Sequence, residues 1–260
     1  MTFFDSIIIA IIEGLTEFLP ISSTGHMILT SSALGLDSND EFLKTFIVCI
    51  QLGAILAIVF LYARRFLKSL EIYKKLIIAF IPTAIVGFLA HDFIKEYLFN
   101  PLVVSIALIV GGIILIVIDK KVVAKEAHYK EPENIPLKNA FFIGLIQCIS
   151  MIPGVSRAGA TIVGGVFNGL NKKQATEFSF LLAVPTMIAA TGYDLFKAPL
   201  SFTSEQMTLL AVGLITAFIF AWIAVKIFLA IVDKYGFTWF GWYRIAIGLI
   251  FIILIWKNVI

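Results

Sequence analysis

Glu-Gly-Leu-Thr-Glu-Phe-Leu-Pro-Ile-Ser-Ser-Thr-Gly-His, residues 13–26, sets two carboxylates, a run of hydroxyls and an imidazole inside otherwise apolar sequence. Glu13 and Glu17 are four apart and share one helix face. Pro20 has no backbone donor and disfavours helix at Leu19, so the chain is expected to break there. Ser22, Ser23 and Thr24 are good N-caps for a second helix, which continues into the apolar run from His26. A helix N-terminus offers unpaired N–H groups and the positive end of the helix dipole. With Gly25 allowing close approach, Ser22, Ser23 and Thr24 form a candidate anion site.

The surrounding composition says what solvent this stretch meets. The 260 residues are 60% hydrophobic and 14% charged, with a mean hydropathy of +1.00, well outside soluble composition. The apolar runs lack the alternation of a membrane barrel and suit helices of about 20 residues per crossing. An all-α polytopic membrane protein follows. The net charge of +3 rests largely on two basic loops, which points to topology and anionic headgroups and gives no nucleic-acid signal. Cys49 and Cys148 stand alone in apolar segments and suggest neither a disulfide framework nor a zinc site. Residues 1–12 lack a basic n-region, so no cleavable signal peptide is expected.

Residues 2–19 and 22–35 are each short for a crossing and are separated by proline, as in a re-entrant helix pair. Spans follow at 44–62, 76–90 and 101–118. Arg64, Arg65, Lys68, Lys74 and Lys75 follow the first of these, which places that loop in the cytoplasm and residues 36–43 and 91–100 outside. The loop 119–138, with Lys120, Lys121, Lys125, Lys130 and Lys138, returns to the cytoplasm. Residues 139–170 repeat the opening theme around Pro153-Gly154-Val155-Ser156-Arg157, and spans follow at 175–193, 208–230 and 239–257. The expectation is one membrane domain over 1–260 with six transmembrane helices and two re-entrant pairs. Pro20-Ile21-Ser22-Ser23 aligns with Pro153-Gly154-Val155-Ser156, so residues 1–118 and 139–257 read as an inverted-topology repeat whose broken helices meet near the midplane.

Glu13 and Glu17 suit a hard divalent cation, Mg²⁺ or Ca²⁺, or acid–base work; the alternative is a water-facing helix turn. Ser23 and His26 are three apart, near enough for the imidazole to take the hydroxyl proton; the alternative is a capping serine and an interfacial histidine. Arg157 carries a fork suited to phosphate oxygens, with Ser156, Gly159 and Thr161 beside it as further phosphate contacts; the alternative is snorkelling or an acidic partner. Gln51 and Gln147 are second-line candidates that equally suit gluing helices together. Arg244, near the start of the last span, is expected at the membrane surface, and Trp239, Trp242 and Tyr243 read as interfacial aromatics. His91 and His128 fall in loops.

The 13–26 stretch together with Pro-Gly-Val-Ser-Arg-Ala-Gly-Ala-Thr at 153–161 closely resembles the signatures of the undecaprenyl-pyrophosphate phosphatases, the bacitracin-resistance family. The resemblance covers essentially the whole chain; Ala158 stands where members often carry serine. It implies an enzyme of the bacterial plasma membrane that removes the terminal phosphate of a C55 polyprenyl pyrophosphate and so recycles the lipid carrier for peptidoglycan. It also implies a pocket open to the outer face, dependence on Mg²⁺ or Ca²⁺, and functional roles on Glu13, Glu17, Ser23, His26 and Arg157. Membrane lipids and the polyprenyl substrate are then the expected partners, and the oligomeric state, a homodimer included, is left open. From the residues alone, a secondary transporter or polyprenyl-phosphate flippase would use the same inverted repeat.

Overall fold

The computed structural model describes residues 1–37, 39–68, 70–98, 100–121, 129, 131–197, 202–257 and 259. In chain order the helices are α1 (Phe3–Thr16), α2 (Ser23–Ala33), α3 (Glu41–Leu61), α4 (Ala63–Lys68), α5 (Leu70–Phe93), α6 (Pro101–Lys121), α7 (Leu137–Gln147), α8 (Arg157–Phe167), α9 (Lys172–Lys197), α10 (Ser204–Tyr235) and α11 (Thr238–Trp256). Six of them, α3, α5, α6, α9, α10 and α11, are long and apolar enough to cross a membrane, and they coincide with the six expected spans. α1 has 14 residues, and α2, α7 and α8 have 11 each, all short of the roughly 20 that a crossing needs. They pack as two pairs, α1 on α2 and α7 on α8, with the breaks at the two polar stretches. Much of the 119–138 loop, including Lys125, His128 and Lys130, lies outside the described residues, as do the side chains of His91 and Lys68.

Local chemistry explains where the short helices begin and end. Thr2 and Asp5 close a capping box at the start of α1. The proline at 20 then prevents continuation of that helix, and Ser22 caps α2 by accepting the Gly25 N–H. Ser156 caps α8 in the same way, accepting from Gly159.

Without a hydrophobic drive between helices in lipid, packing rests on close approach of small residues and on polar contacts. A Cβ on Gly14 of α1 would meet the backbone of Ala217 and Ala221 on α10. One on Gly53 of α3 would meet Leu214 of α10, and one on Gly144 of α7 would meet Ala79 of α5. Gln147, at the end of α7, donates to Thr83 at 2.7 Å and Thr186 at 3.3 Å, each the residue after a mid-helix proline, Pro82 in α5 and Pro185 in α9. The helix-gluing reading of Gln147 therefore holds. Phe60, Ile113, Ile215 and Ile253 stay exposed on the outside of the bundle, where lipid tails are their natural solvent. At one end, Asp119 ties α6 to Lys172 and to Thr238 at 2.5 Å each, and Arg65 pairs with Glu177 at 2.7 Å.

Arg244 departs from its expected place at the membrane surface. It is 1% exposed and donates five hydrogen bonds, all to main-chain carbonyls. Nη1 reaches Pro20 O at 3.0 Å and Val155 O at 2.9 Å, Nη2 reaches Gly154 O at 2.9 Å and Ala107 O at 3.0 Å, and Nε reaches Leu108 O at 3.3 Å. The reason is the α6–α11 seam: Gly112 and Gly241 face each other there, and Gly111 leaves room for the guanidinium. The helices come close enough for the arginine to be enclosed, and its five donors then exhaust their partners inside the protein.

Helix propensity alone would favour Ala over Gly by about 1 kcal/mol at position 53. Because the added methyl would meet the Leu214 carbonyl, Gly53→Ala should instead destabilise the protein by about 1–3 kcal/mol. Thermal unfolding in detergent checks this, and a raised melting temperature would contradict the α3–α10 contact.

Candidate active site

Both breaks share one local geometry. Ser22 has φ 70° and Ser156 φ 74°, the two non-glycine residues with left-handed φ among those described. Such backbone costs of order 1–3 kcal/mol per residue and marks positions that the surroundings over-determine. In each, the serine hydroxyl accepts the N–H three residues on, Gly25 at 3.4 Å and Gly159 at 3.1 Å. This corrects the register of the sequence alignment by one residue. Ser22, not Ser23, corresponds to Ser156, and Ser23 therefore corresponds to Arg157. The second break holds one more residue between its proline and its cap, and Gly154, with φ 94°, takes up the difference.

The two corresponding side chains meet on one carboxylate. Glu17 Oε2 accepts the Ser23 hydroxyl at 2.5 Å, and Glu17 Oε1 accepts from Arg157 Nη2 at 3.0 Å. The ion pair is largely dry, with side-chain exposures of 8% for Glu17 and 11% for Arg157. Arg157 is fixed further by Ser179 O at 3.1 Å and by the Phe18 ring, whose centroid lies 5.4 Å from the guanidinium carbon. Ser156 Oγ in turn reaches Leu19 O at 3.4 Å, so each break touches the other.

A cavity of about 250 Å³ opens beside this cluster. Glu17, Ser22, Ser23 and Thr24 line it from the first break, Gly154, Ser156 and Arg157 from the second, and Gln51, Thr186 and Thr191 from α3 and α9. A second cavity of about 510 Å³ is lined by apolar and aromatic side chains that include Leu19, Ile21 and Trp239, chemistry for hydrocarbon chains and not for charge.

His26 is arranged differently from the expected serine–histidine pair. Its Nδ1 donates to Ser22 O at 2.8 Å, and its Nε2 lies 2.7 Å from the Tyr243 hydroxyl. A carbonyl only accepts, so Nδ1 carries a proton, and in the neutral ring Nε2 accepts from the tyrosine. The two rings stack 5.6 Å apart, 6° from parallel. Ser23 instead has its hydrogen bond with Glu17, because the first turn of α2 sets the imidazole against the Ser22 carbonyl. Tyr243, read from sequence as an interfacial aromatic, thus reaches a residue of the first break.

Three of the expected phosphate contacts also serve the backbone. Gly25 and Gly159 give their N–H groups to the capping serines, and Thr161 bonds Arg157 O at 2.9 Å and Ser179 Oγ at 2.6 Å. None of the three lines the polar cavity. Glu13, one turn before Glu17, is fully buried, and neither of its carboxylate oxygens has a hydrogen-bond partner among the described residues. An orphaned carboxylate beside a second one suits a hard cation, so the residues fit Mg²⁺ or Ca²⁺. No cluster of three or more His, Cys, Asp or Glu that could hold a metal ion occurs among the described residues. Sequence reading assigned no role to Ser179, Thr186 or Thr191 and only interfacial ones to Tyr243 and Arg244; of the five, Arg244 alone carried a signal, a charge inside an apolar span.

Tyr243→Phe keeps the stack and removes the hydroxyl. It should cost about 1 kcal/mol of stability, the usual net worth of one hydrogen bond. Thermal unfolding in detergent measures it, and an unchanged melting temperature would remove the Tyr243–His26 bond from this account.

The sequence has clear counterparts among known proteins. The model of the family described as Bacitracin resistance protein BacA matches residues 6–250. An undecaprenyl-diphosphatase of Persephonella marina is 52% identical over 98% of this chain and all of its own length. Those of Aquifex aeolicus and Bdellovibrio bacteriovorus are 51% and 48% identical, over 96% and 99% of the chain and 98% of each relative. With a family match across nearly its whole length and relatives this similar, the chain belongs to the bacitracin resistance protein BacA family.

Proposed function

We propose that this protein is a membrane phosphatase that hydrolyses undecaprenyl pyrophosphate to undecaprenyl phosphate and inorganic phosphate, recycling the lipid carrier for envelope synthesis. The observation that carries the reading is the Ser23–Glu17–Arg157 cluster, a hydroxyl, a carboxylate and a guanidinium from two separate helix breaks beside one polar cavity. A transporter needs an anion site but not a hydroxyl bonded to a carboxylate base.

The terminal phosphate enters the polar cavity against Arg157 and the N-termini of α2 and α8. Ser23 Oγ attacks the terminal phosphorus, the anhydride bond breaks, and undecaprenyl phosphate leaves. The hydroxyl proton passes to Glu17 Oε2, 2.5 Å away. Protonation weakens the hold of Glu17 on Arg157, so the guanidinium charge is freed for the phosphoryl oxygens as their charge shifts. Glu17 gives that proton to the departing undecaprenyl phosphate. Water then attacks the phosphoserine, Glu17 takes the water's proton and returns it to Ser23 Oγ as the Oγ–P bond breaks, and inorganic phosphate is released. His26, held by Ser22 O and Tyr243, fixes the turn that carries Ser23. Glu13 and Glu17 would hold the divalent cation, whose chemistry is to neutralise pyrophosphate charge. The basic loop at Arg64 and Arg65 lies in the cytoplasm of a bacterial plasma membrane, and the polar cavity faces outward.

Purified protein in detergent should release phosphate from a C55 pyrophosphate, lose turnover in chelator and regain it with Mg²⁺ or Ca²⁺. Detergent abolishes compartments, so phosphate release separates catalysis from transport. Arg157→Ala should lose roughly a hundredfold in kcat/KM, about 3 kcal/mol, and Arg157→Lys should be badly impaired because an ammonium lacks the fork. Near wild-type kcat/KM in Arg157→Ala would place Arg157 outside the reaction.

The orientation has its own test. With Cys49 and Cys148 replaced by serine, a cysteine at Asp40 should react with an impermeant thiol reagent in intact cells and one at Lys68 should not. The opposite pattern would reverse the orientation.

A further inference from the structure

We propose that Arg244 is a positioning residue for the phosphate site, one that acts through the peptide planes of both helix breaks and through its own unneutralised charge. The inference rests on the phosphatase reading above and adds to it a residue from the last span that does not touch the substrate cavity.

Its five N–H groups all end on carbonyl oxygens, and none on a carboxylate. Three of those carbonyls, of Pro20, Gly154 and Val155, belong to the two breaks. No peptide bond in the described residues is cis. In a planar trans peptide the C=O and the following N–H point in opposite directions. Holding Val155 O on the guanidinium therefore turns the Ser156 N–H the other way, toward the side on which Ser156 lines the polar cavity. Holding Pro20 O likewise orients the peptide that leads through Ile21 into Ser22. Two successive carbonyls, of Gly154 and Val155, converge on one side chain, which the left-handed φ of Gly154 permits.

The charge matters as well as the geometry. A guanidinium that is 1% exposed and bonded only to neutral carbonyls keeps its full positive charge in a medium of low dielectric. It bonds carbonyls of both breaks, residues of both breaks line the cavity, and its charge therefore adds to the field that the N-termini of α2 and α8 present to an anion.

Two variants disturb this arrangement by different routes. Arg244→Lys keeps the charge and loses the fork. Gly111→Ala keeps Arg244 and gains helix propensity but sets a methyl against the guanidinium, and so displaces the fork without removing the charge. Gly87→Ala, whose added methyl meets only the flexible end of Met151, is the control. For each, kcat, KM and the affinity for inorganic pyrophosphate by calorimetry are measured on the folded fraction in detergent, with the melting temperature recorded. Arg244→Lys and Gly111→Ala should lose roughly a hundredfold in kcat and about tenfold in pyrophosphate affinity, while Gly87→Ala matches wild type. Lower melting temperatures with wild-type kcat, KM and pyrophosphate affinity would make Arg244 a scaffold residue only and overturn the proposal. If the wild type fails to hydrolyse the lipid, the phosphatase reading falls. The pyrophosphate affinities of the variants then still decide whether Arg244 shapes an anion site.

Discussion

Breaking a helix at membrane depth strands carbonyl and N–H groups where no water can reach them, at several kcal/mol for each group left unpaired. The fold meets that cost mainly through one side chain. Arg244 collects carbonyls from both breaks and from α6. The capping hydroxyls of Ser22 and Ser156 each take one N–H, and Ser156 spans to Leu19 O in the other break. Once these demands are met, the N-termini of α2 and α8 can serve a ligand. The candidate anion site is what remains after the backbone of the two breaks has been satisfied.

Much of this was legible in the sequence, for reasons that can be named. Span length is set by bilayer thickness, so the six crossings followed from apolar runs alone. The first break followed from Pro20 and three consecutive capping residues, and the pairing of Arg157 with the opening motif from the cost of a charge inside apolar sequence. What failed depended on rotation about a helix axis. His26 lies one turn from Ser23, yet which nitrogen meets which partner depends on Tyr243, which is 217 residues away. Arg244 lies early in its span, where an arginine can either snorkel outward or turn inward. Gly111, Gly112 and Gly241 decide it by the closeness of α6 to α11, and sequence pattern does not give that closeness.

The one-residue shift between the breaks has chemical content. Had the motifs matched residue for residue, serine would face serine across the site. With Gly154 inserted before the second cap, the position after each strained serine holds Ser23 at one break and Arg157 at the other, and both reach the same Glu17. A buried ion pair is weak evidence for stability, since desolvation offsets most of the Coulomb attraction. Its value here lies in bringing a hydroxyl-bearing turn and a cation-bearing turn from distant segments onto one carboxylate.

The placement of Tyr243 and Arg244 also has a consequence for biogenesis. Both sit on α11, which leaves the ribosome after every other helix described here. Until α11 inserts, His26 lacks its hydroxyl partner, and the carbonyls of Pro20, Gly154 and Val155 lack theirs, so neither break has its final shape. A nascent chain halted before α11 can hold its earlier spans in the bilayer without a competent anion site. Assembly of the candidate site is thereby deferred until α11 has joined the helices before it.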